Sequence, residues 1–382
     1  METKPASAFS EGLEDIVAGE SSICIIDGKQ SQLYYRGYAI HDLAEHSTFE
    51  ETAYLLLFGA LPTERQLKEF CNKLASEREV HKDVGRLIES LPKTTHPMAA
   101  LRTGVSLLSH FDPEADDQSR ESNVRKAIRL IARVPTIIAY FDRSRNSKPL
   151  VHPKTDGNLN KATNFLYMLK GHEATPLEAK MLDKYFVLLA EHDFNASTFA
   201  ARTTASTLSD MYSAVVSAIG ALKGDLHGSA NSRAMESIIA IGDVAKVEEY
   251  VDDVLANKKK LMGFGHRVYK GPDPRADDLR AMAKALAQGN PQQAKWFEIS
   301  EKLEKTVWNR KKLNCNVDFY SASVLYTIGI PIDLFTTMFA VSRMAGWTAH
   351  VLEQLANNRL IRPVSAYTGE QPRPYQLLKD RK

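Results

Sequence analysis

The stretch Ser47–Thr63, STFEETAYLLLFGALPT, decides the fold class. A hydroxyl residue three positions before a glutamate, Ser47 to Glu50, is a capping box. An apolar run follows at helical spacing. Gly59 and then Pro62 end it, as left-handed caps and prolines do. The next segment, TERQLKEFCNKLASE, repeats the pattern with Thr63 as its cap. Upstream, SSICIIDGKQSQLYYRGYAI sets two β-prone runs about Asp27-Gly28, a preferred turn pair, and predicts a short hairpin. Downstream, helical spacing recurs near 82–91, 97–109, 122–143, 160–170, 176–191, 196–222, 231–241, 246–257, 274–288, 292–308, 317–327 and 333–358. Strand patterns beyond the hairpin are scarce, so the class is all-α with a small β decoration. Segment 196–222 is rich in Ala, Ser and Thr, which lets helix backbones approach closely. It reads either as one central buried helix or as a helix at a subunit interface.

The bulk composition narrows the function. The 382 residues are 43% hydrophobic, enough for a packed core, and the net charge of +2 offers no global field to nucleic acid or membrane. No run of eighteen apolar residues occurs. The opening METKPASAFSEGLEDI has acids and no apolar core, unlike a signal or transit peptide. Cys24, Cys71 and Cys315 form neither a CxxC nor a metal spacing and suit a reducing, cytoplasmic compartment.

Chemistry concentrates in a few polar stretches. LMGFGHRVYKGPDPRA, Leu261–Ala276, holds three glycines, two prolines and one histidine. The glycines do not fall in the GxGxxG phase, so a dinucleotide fold is unsupported. Glycines at 263 and 265 let a ligand approach the backbone. Nothing structural calls for an imidazole at His266. The neighbouring Lys258, Lys259, Lys260, Arg267, Lys270 and Arg275 suit phosphates and carboxylates, although the lysine run alone reads as a solvated helix end. In ALKGDLHGSANSRAMES, His227 precedes a helix start. It reads as a turn histidine or as an imidazole kept neutral by the helix dipole and able to donate to an oxyanion. Asp225, two residues away, is expected to raise the pKa of His227. Asp318 in NCNVDFYSAS reads as a helix cap or as a partly buried base. His192 and Asn195 stand at a helix start, with Asn195 as its cap. Arg343 lies inside an apolar helix, and Arg362 precedes a proline near the C-terminus.

Together, MGFGHRVYK, NVDFYS and LHGSAN, with GLEDIVAGESS and RPVSAYTG toward the ends, resemble the citrate synthase family from one end of the chain to the other, in its short bacterial and archaeal form. The resemblance implies an all-α, two-domain helical homodimer with the small N-terminal hairpin. The large domain would take residues 1–222 and 331–382, and a small domain 223–330. It implies condensation of acetyl-CoA with oxaloacetate to citrate, a step of the tricarboxylic acid cycle, with acyl-CoA as co-substrate and no tightly bound cofactor or metal. Carried over residue by residue, Asp318 would be the base and His227 the enolate stabiliser. His266 would polarise the ketone. His192, Arg275 and Arg343 would bind the dicarboxylate, and Arg362 would serve the neighbouring subunit's site. Lys260, Leu261, Met262, Gly263, Phe264, Gly265, Lys270 and Asn316 would hold coenzyme A. Departures stand at Asp225, Ser229 and Ser232, where the family usually reads GPLHGGANE, and at Cys315, where it has proline. They bear on rate and acyl specificity more than on reaction type. A 2-methylcitrate synthase using propionyl-CoA shares these motifs. A catalytically weak paralogue kept for assembly or ligand binding is the reading from another class.

Overall fold

The computed structural model describes residues 10–381. Three antiparallel strands, β1 (Cys24–Asp27), β2 (Gln32–Tyr35) and β3 (Tyr38–Ala39), form the small sheet in sequence order. The hairpin is present, but its turn is not the two-residue Asp-Gly type. Asp27 pairs with Gln32 across a four-residue loop. There the Asp27 carboxylate accepts from the amides of Lys29 and Gln30 at 2.9 and 2.8 Å, and Ser31 takes the left-handed conformation at φ 56°. Gly28 is needed for another reason. A Cβ there would lie 2.5 Å from the carbonyl oxygen of Val268, and the Lys270 amide donates to the Gly28 carbonyl at 2.9 Å. The hairpin tip therefore braces the histidine loop.

Among the described residues sixteen α-helices follow. The first eight are α1 (Ile40–His46), α2 (Phe49–Phe58), α3 (Glu64–Ser76), α4 (Lys82–Ser90), α5 (Pro97–Ser109), α6 (Arg120–Arg145), α7 (Lys161–Lys170) and α8 (Pro176–Leu189). Then come α9 (Ala196–Ser206), α10 (Met211–Leu222), α11 (Ala230–Ile241), α12 (Val247–Ala256), α13 (Ala276–Gly289), α14 (Ala294–Lys311), α15 (Val317–Ile328) and α16 (Phe335–Ala356). The Thr63 cap and the left-handed Gly59 end are where the sequence puts them, and the structure adds the reciprocal bond from Gln66. The cap of α2 is Thr48, not Ser47: Thr48 accepts from the amide of Glu51. Glu50 turns inward, where its carboxylate accepts from the Lys161 amide at 2.6 Å.

The segment expected as one helix over 196–222 is two. Leu208 adopts φ 65°, and Asp210 starts α10 by accepting from the Ser213 amide at 3.0 Å. The short connection folds α9 and α10 against each other. Their small residues allow the close approach, and Thr204 bonds Ser217 across the pair at 2.8 Å. Both pack on α16, the central helix, which also meets α2, α6 and α8. Helices α11 to α15 pack mainly on one another. The loops 190–195, 223–229, 257–275 and 312–316 lie where these two sets of helices meet. No helix among the described residues is long and apolar enough to cross a membrane.

Candidate active site

The glycine loop is pinned to the start of α15. Gly263 and Gly265 have φ 82° and 77°. A Cβ at Gly263 would lie 2.9 Å from that of Phe319. The Asn316 amide donates to the Gly263 carbonyl at 2.9 Å, and its side chain donates to the Gly265 carbonyl at 2.8 Å. His266 is fixed in turn. Its Nδ1 accepts from the amides of Val268 and Tyr269 at 3.0 and 3.2 Å. Backbone amides only donate, so Nδ1 carries the lone pair and Nε2 carries the proton. Burial, and after it the Arg275 guanidinium, push the His266 pKa down to about 4, so the ring is neutral near pH 7.

His192 follows α8. Its Nε2 lies 3.1 Å from the Tyr269 hydroxyl, and its ring centre 5.6 Å from that of His266. Burial, then Arg275 and Arg343, hold its pKa well below the usual value. Arg275 is clamped by Asp273 through Nε and Nη2 at 2.9 and 2.8 Å. Asp273 also accepts from the Val317 amide at 3.1 Å, which ties the clamp to α15. Arg343 is 1% exposed. Its Nε donates to the Leu189 carbonyl at 2.9 Å, while Nη1 is buried with no hydrogen-bond partner among the described residues. A buried guanidinium with a spare donor is costly unless an anion meets it.

His227 has the opposite tautomer to His266. The Ser197 amide donates to its Nε2 at 3.3 Å, and the Ser197 hydroxyl lies 2.8 Å from the same atom. Nε2 is thus the acceptor, and Nδ1 carries the proton. The Trp347 indole N–H donates to the Ser197 hydroxyl at 3.1 Å, fixing this support from α16. The His227 pKa falls to about 4, through burial first and then Arg343. The downward shift keeps the ring neutral near pH 7, as the oxyanion-donor reading of His227 requires.

Asp225 does not act on His227. Its side chain is 72% exposed and pairs with Arg233 at 2.6 Å. Asp225→Asn is therefore expected to leave the acidic limb of the kcat profile in place. A shift of half a pH unit or more, about 0.7 kcal/mol of coupling, would restore the link.

Asp318 lies in the first turn of α15 but does not cap it. Asn316 does, accepting from the Asp318 amide at 3.0 Å. Burial pushes the Asp318 carboxyl up to about 7, against the lowering pull of Arg275 and Arg343. These same two guanidiniums act on His192, and one or other of them on His227 and His266. A poised base, two neutral N–H donors and two anion-binding arginines thus share one electrostatic neighbourhood. Such a set can remove a weakly acidic C–H proton and stabilise the resulting oxyanion.

A cavity of about 590 Å³ adjoins this cluster. Of the residues expected to hold coenzyme A, Lys260 to Phe264 and Asn316 line it. Gly265 borders them in the chain. Lys270 is not among the lining residues; it is exposed near the hairpin tip. Lys258, Lys259 and Lys311 are there instead. The lysine run is exposed, as a solvated helix end would be, and it also borders this cavity. Arg362 is exposed on the extended segment after α16 and is not joined to the cluster. Ser197, Trp347, Asp273 and Tyr269 were not singled out from the sequence.

The chain matches the family described as citrate synthase, C-terminal domain, over residues 12–364. It is 48% identical to "Citrate synthase 2" of Bacillus subtilis over 97% of this chain and 99% of that one. It is 42% identical to "2-methylcitrate synthase" of Shewanella oneidensis over 95% of each. Among solved structures, a ternary complex of carboxymethyl coenzyme A and oxaloacetate with the citrate synthase of Thermoplasma acidophilum aligns with a TM-score of 0.91 at 34% identity, covering 98% of this chain and 100% of that one.

Proposed function

The chain belongs to the citrate synthase family of acyltransferases, and from that premise we propose that it condenses acetyl-CoA with oxaloacetate and water to give citrate and free coenzyme A. The observation that carries this reading is the pair of neutral imidazoles with opposite tautomers that shares the guanidiniums of Arg275 and Arg343 with a carboxyl whose pKa lies at about 7. The Asp318 carboxylate takes a proton from the α-carbon of the thioester. The N–H of His227 hydrogen-bonds the thioester oxygen as it gains charge. The α-carbon then forms a bond to the ketone carbon of oxaloacetate, and the ketone oxygen, polarised by the Nε2–H of His266, takes that proton to become a hydroxyl, His266 regaining one from solvent. Water hydrolyses the citryl thioester, releasing the CoA thiol. Arg275, Arg343 and His192 hold the dicarboxylate, the spare Nη1 of Arg343 meeting a carboxylate oxygen. The cavity beside Lys260, Gly263 and Asn316 takes coenzyme A, with Lys258, Lys259 and Lys311 near its phosphates.

We assign residues 223–330 to a small domain, since α11 to α15 pack mainly together, and 1–222 with 331–382 to a large one. Residues 1–9 and 382 of that division lie outside the described residues. The working form is a cytoplasmic homodimer. In its support, the segment after α16 exposes Leu360, Val364, Tyr367, Tyr375 and Leu378, a run of apolar side chains that a second copy would cover. Steady-state rates with acetyl-CoA and propionyl-CoA, each with oxaloacetate, test the reading. Acetyl-CoA is expected to lead in kcat/KM by about tenfold or more, the lower scale for one methylene. A propionyl-CoA preference makes the chain a 2-methylcitrate synthase, as the Shewanella relative is named. No turnover with either leaves a binding or assembly role.

A further inference from the structure

The groups assigned to the dicarboxylate come from both sets of helices. His192 follows α8 and Arg343 lies in α16, while Arg275 stands at the start of α13. The clamp on Arg275 does not bridge the two sets, because Asp273 and its tie to the Val317 amide belong to the same set as Arg275. Another contact must fix how far Arg275 stands from its two companions, and Asp278 makes one. It lies in the first turn of α13, on the same side as Arg275, whose carbonyl accepts from the Leu279 amide at 3.1 Å. The Asp278 side chain is only 3% exposed, and each of its oxygens meets the other set. Oδ1 lies 2.8 Å from Lys184 Nζ on α8, and Oδ2 lies 3.0 Å from His41 Nδ1 on α1. A carboxylate only accepts, so His41 Nδ1 carries a proton. The other salt bridge between the sets among the described residues, Arg267 with Glu14, is 3.9 Å long and exposed at both ends. A buried carboxylate is costly unless it is paired. Here the pairing fastens α13 to α8 and α1, which also pack on each other, and α8 runs on to His192.

We propose that Asp278, held by Lys184 and His41, is a positioning residue for Arg275: this buried joint sets the span between Arg275 on one set of helices and His192 and Arg343 on the other. It rests on the reading that these three side chains hold oxaloacetate. Facing His41 are Asp278 of α13, Lys184 of α8 and, at 3.7 Å, Glu45 of α1. The hydrogen bond to Asp278, and after it the Asp278 charge, raise the His41 pKa. The imidazolium is thus the stronger partner, and its share of the joint weakens as pH rises and the ring loses its charge.

Lys184→Met keeps the length of the side chain and removes its charge. It is expected to raise KM for oxaloacetate about tenfold, inside the roughly hundredfold that a misplacement of about 1 Å can cost. Its kcat should hold within about twofold, the pattern of lost binding common to ground and transition states. Lys184→Arg should restore KM. In Lys184→Met only His41 remains on the carboxylate, so the ratio of its KM to the parent's should be smaller at about pH 6 than at about pH 9. His41→Gln, a change on an exposed side chain, should raise KM in the same direction and, combined with Lys184→Met, abolish that pH trend. A joint that serves stability alone would lower Tm and leave KM where it was. Parent-like KM for oxaloacetate in both single variants, with the parent binding oxaloacetate in calorimetry, overturns the positioning role and leaves the functional reading intact. A parent that does not bind oxaloacetate overturns both.

Discussion

Asp318→Asn is expected to lower kcat at least about a hundredfold, the lower scale for loss of a general base, while the enzyme still folds. The swap is nearly isosteric. The first turn of α15 does not depend on the carboxylate, because Asn316 supplies the cap. The same substitution carries a stability signature with a definite sign. The folded-state pKa is raised to about 7, above the value of about 3.9 for a free aspartate. The folded state therefore binds the proton more tightly than the unfolded one, and the stability this lends is lost as pH rises through 7. An amide never takes the charge. The Asp318→Asn variant should melt higher than the parent at pH 8, and the gap should close toward pH 4. Turnover near the parent rate would sink the assignment, whatever the melting data say.

What could be read from the sequence was local. Gly59, the Thr63 cap and the paired glycines before His266 each depend on residues within a turn of one another, and the structure has them as expected. The α2 cap shows where local reading stops. Ser47 with Glu50 and Thr48 with Glu51 satisfy the same spacing, and the choice is made by Lys161, whose amide draws Glu50 into the core. The break between α9 and α10 carries no glycine or proline to mark it, only the left-handed Leu208. The supports of the site were hidden for the same reason. Ser197 reaches His227 across 30 residues and Trp347 across 150, so no spacing rule could join them. Lys311 meets the lysine run only because α14 ends beside it. The shared neighbourhood of His192, His227, His266, Arg275, Arg343 and Asp318 came into view through their matching motifs, each of which alone had an ordinary structural reading.

Arg362, proposed as a ligand of the neighbouring site, lies apart from the cluster in the single chain, and that makes the second large effect an assembly experiment. In the proposed dimer, Arg362 of one subunit completes the dicarboxylate site of the other, and its exposure in one copy fits that use. Arg362→Ala should therefore be inactive for want of a carboxylate ligand, and His266→Ala inactive for want of the polarising N–H. In a heterodimer, one site combines the intact His266 of one subunit with the intact Arg362 of its partner, while the other site holds both defects. Random exchange makes about half of the dimers mixed, each with one working site, so about a quarter of the parent activity should return. Each variant alone should stay near zero after the same treatment. If exchange is demonstrated by mass-tagged subunits and activity stays at the level of the separate variants, Arg362 serves its own chain or none.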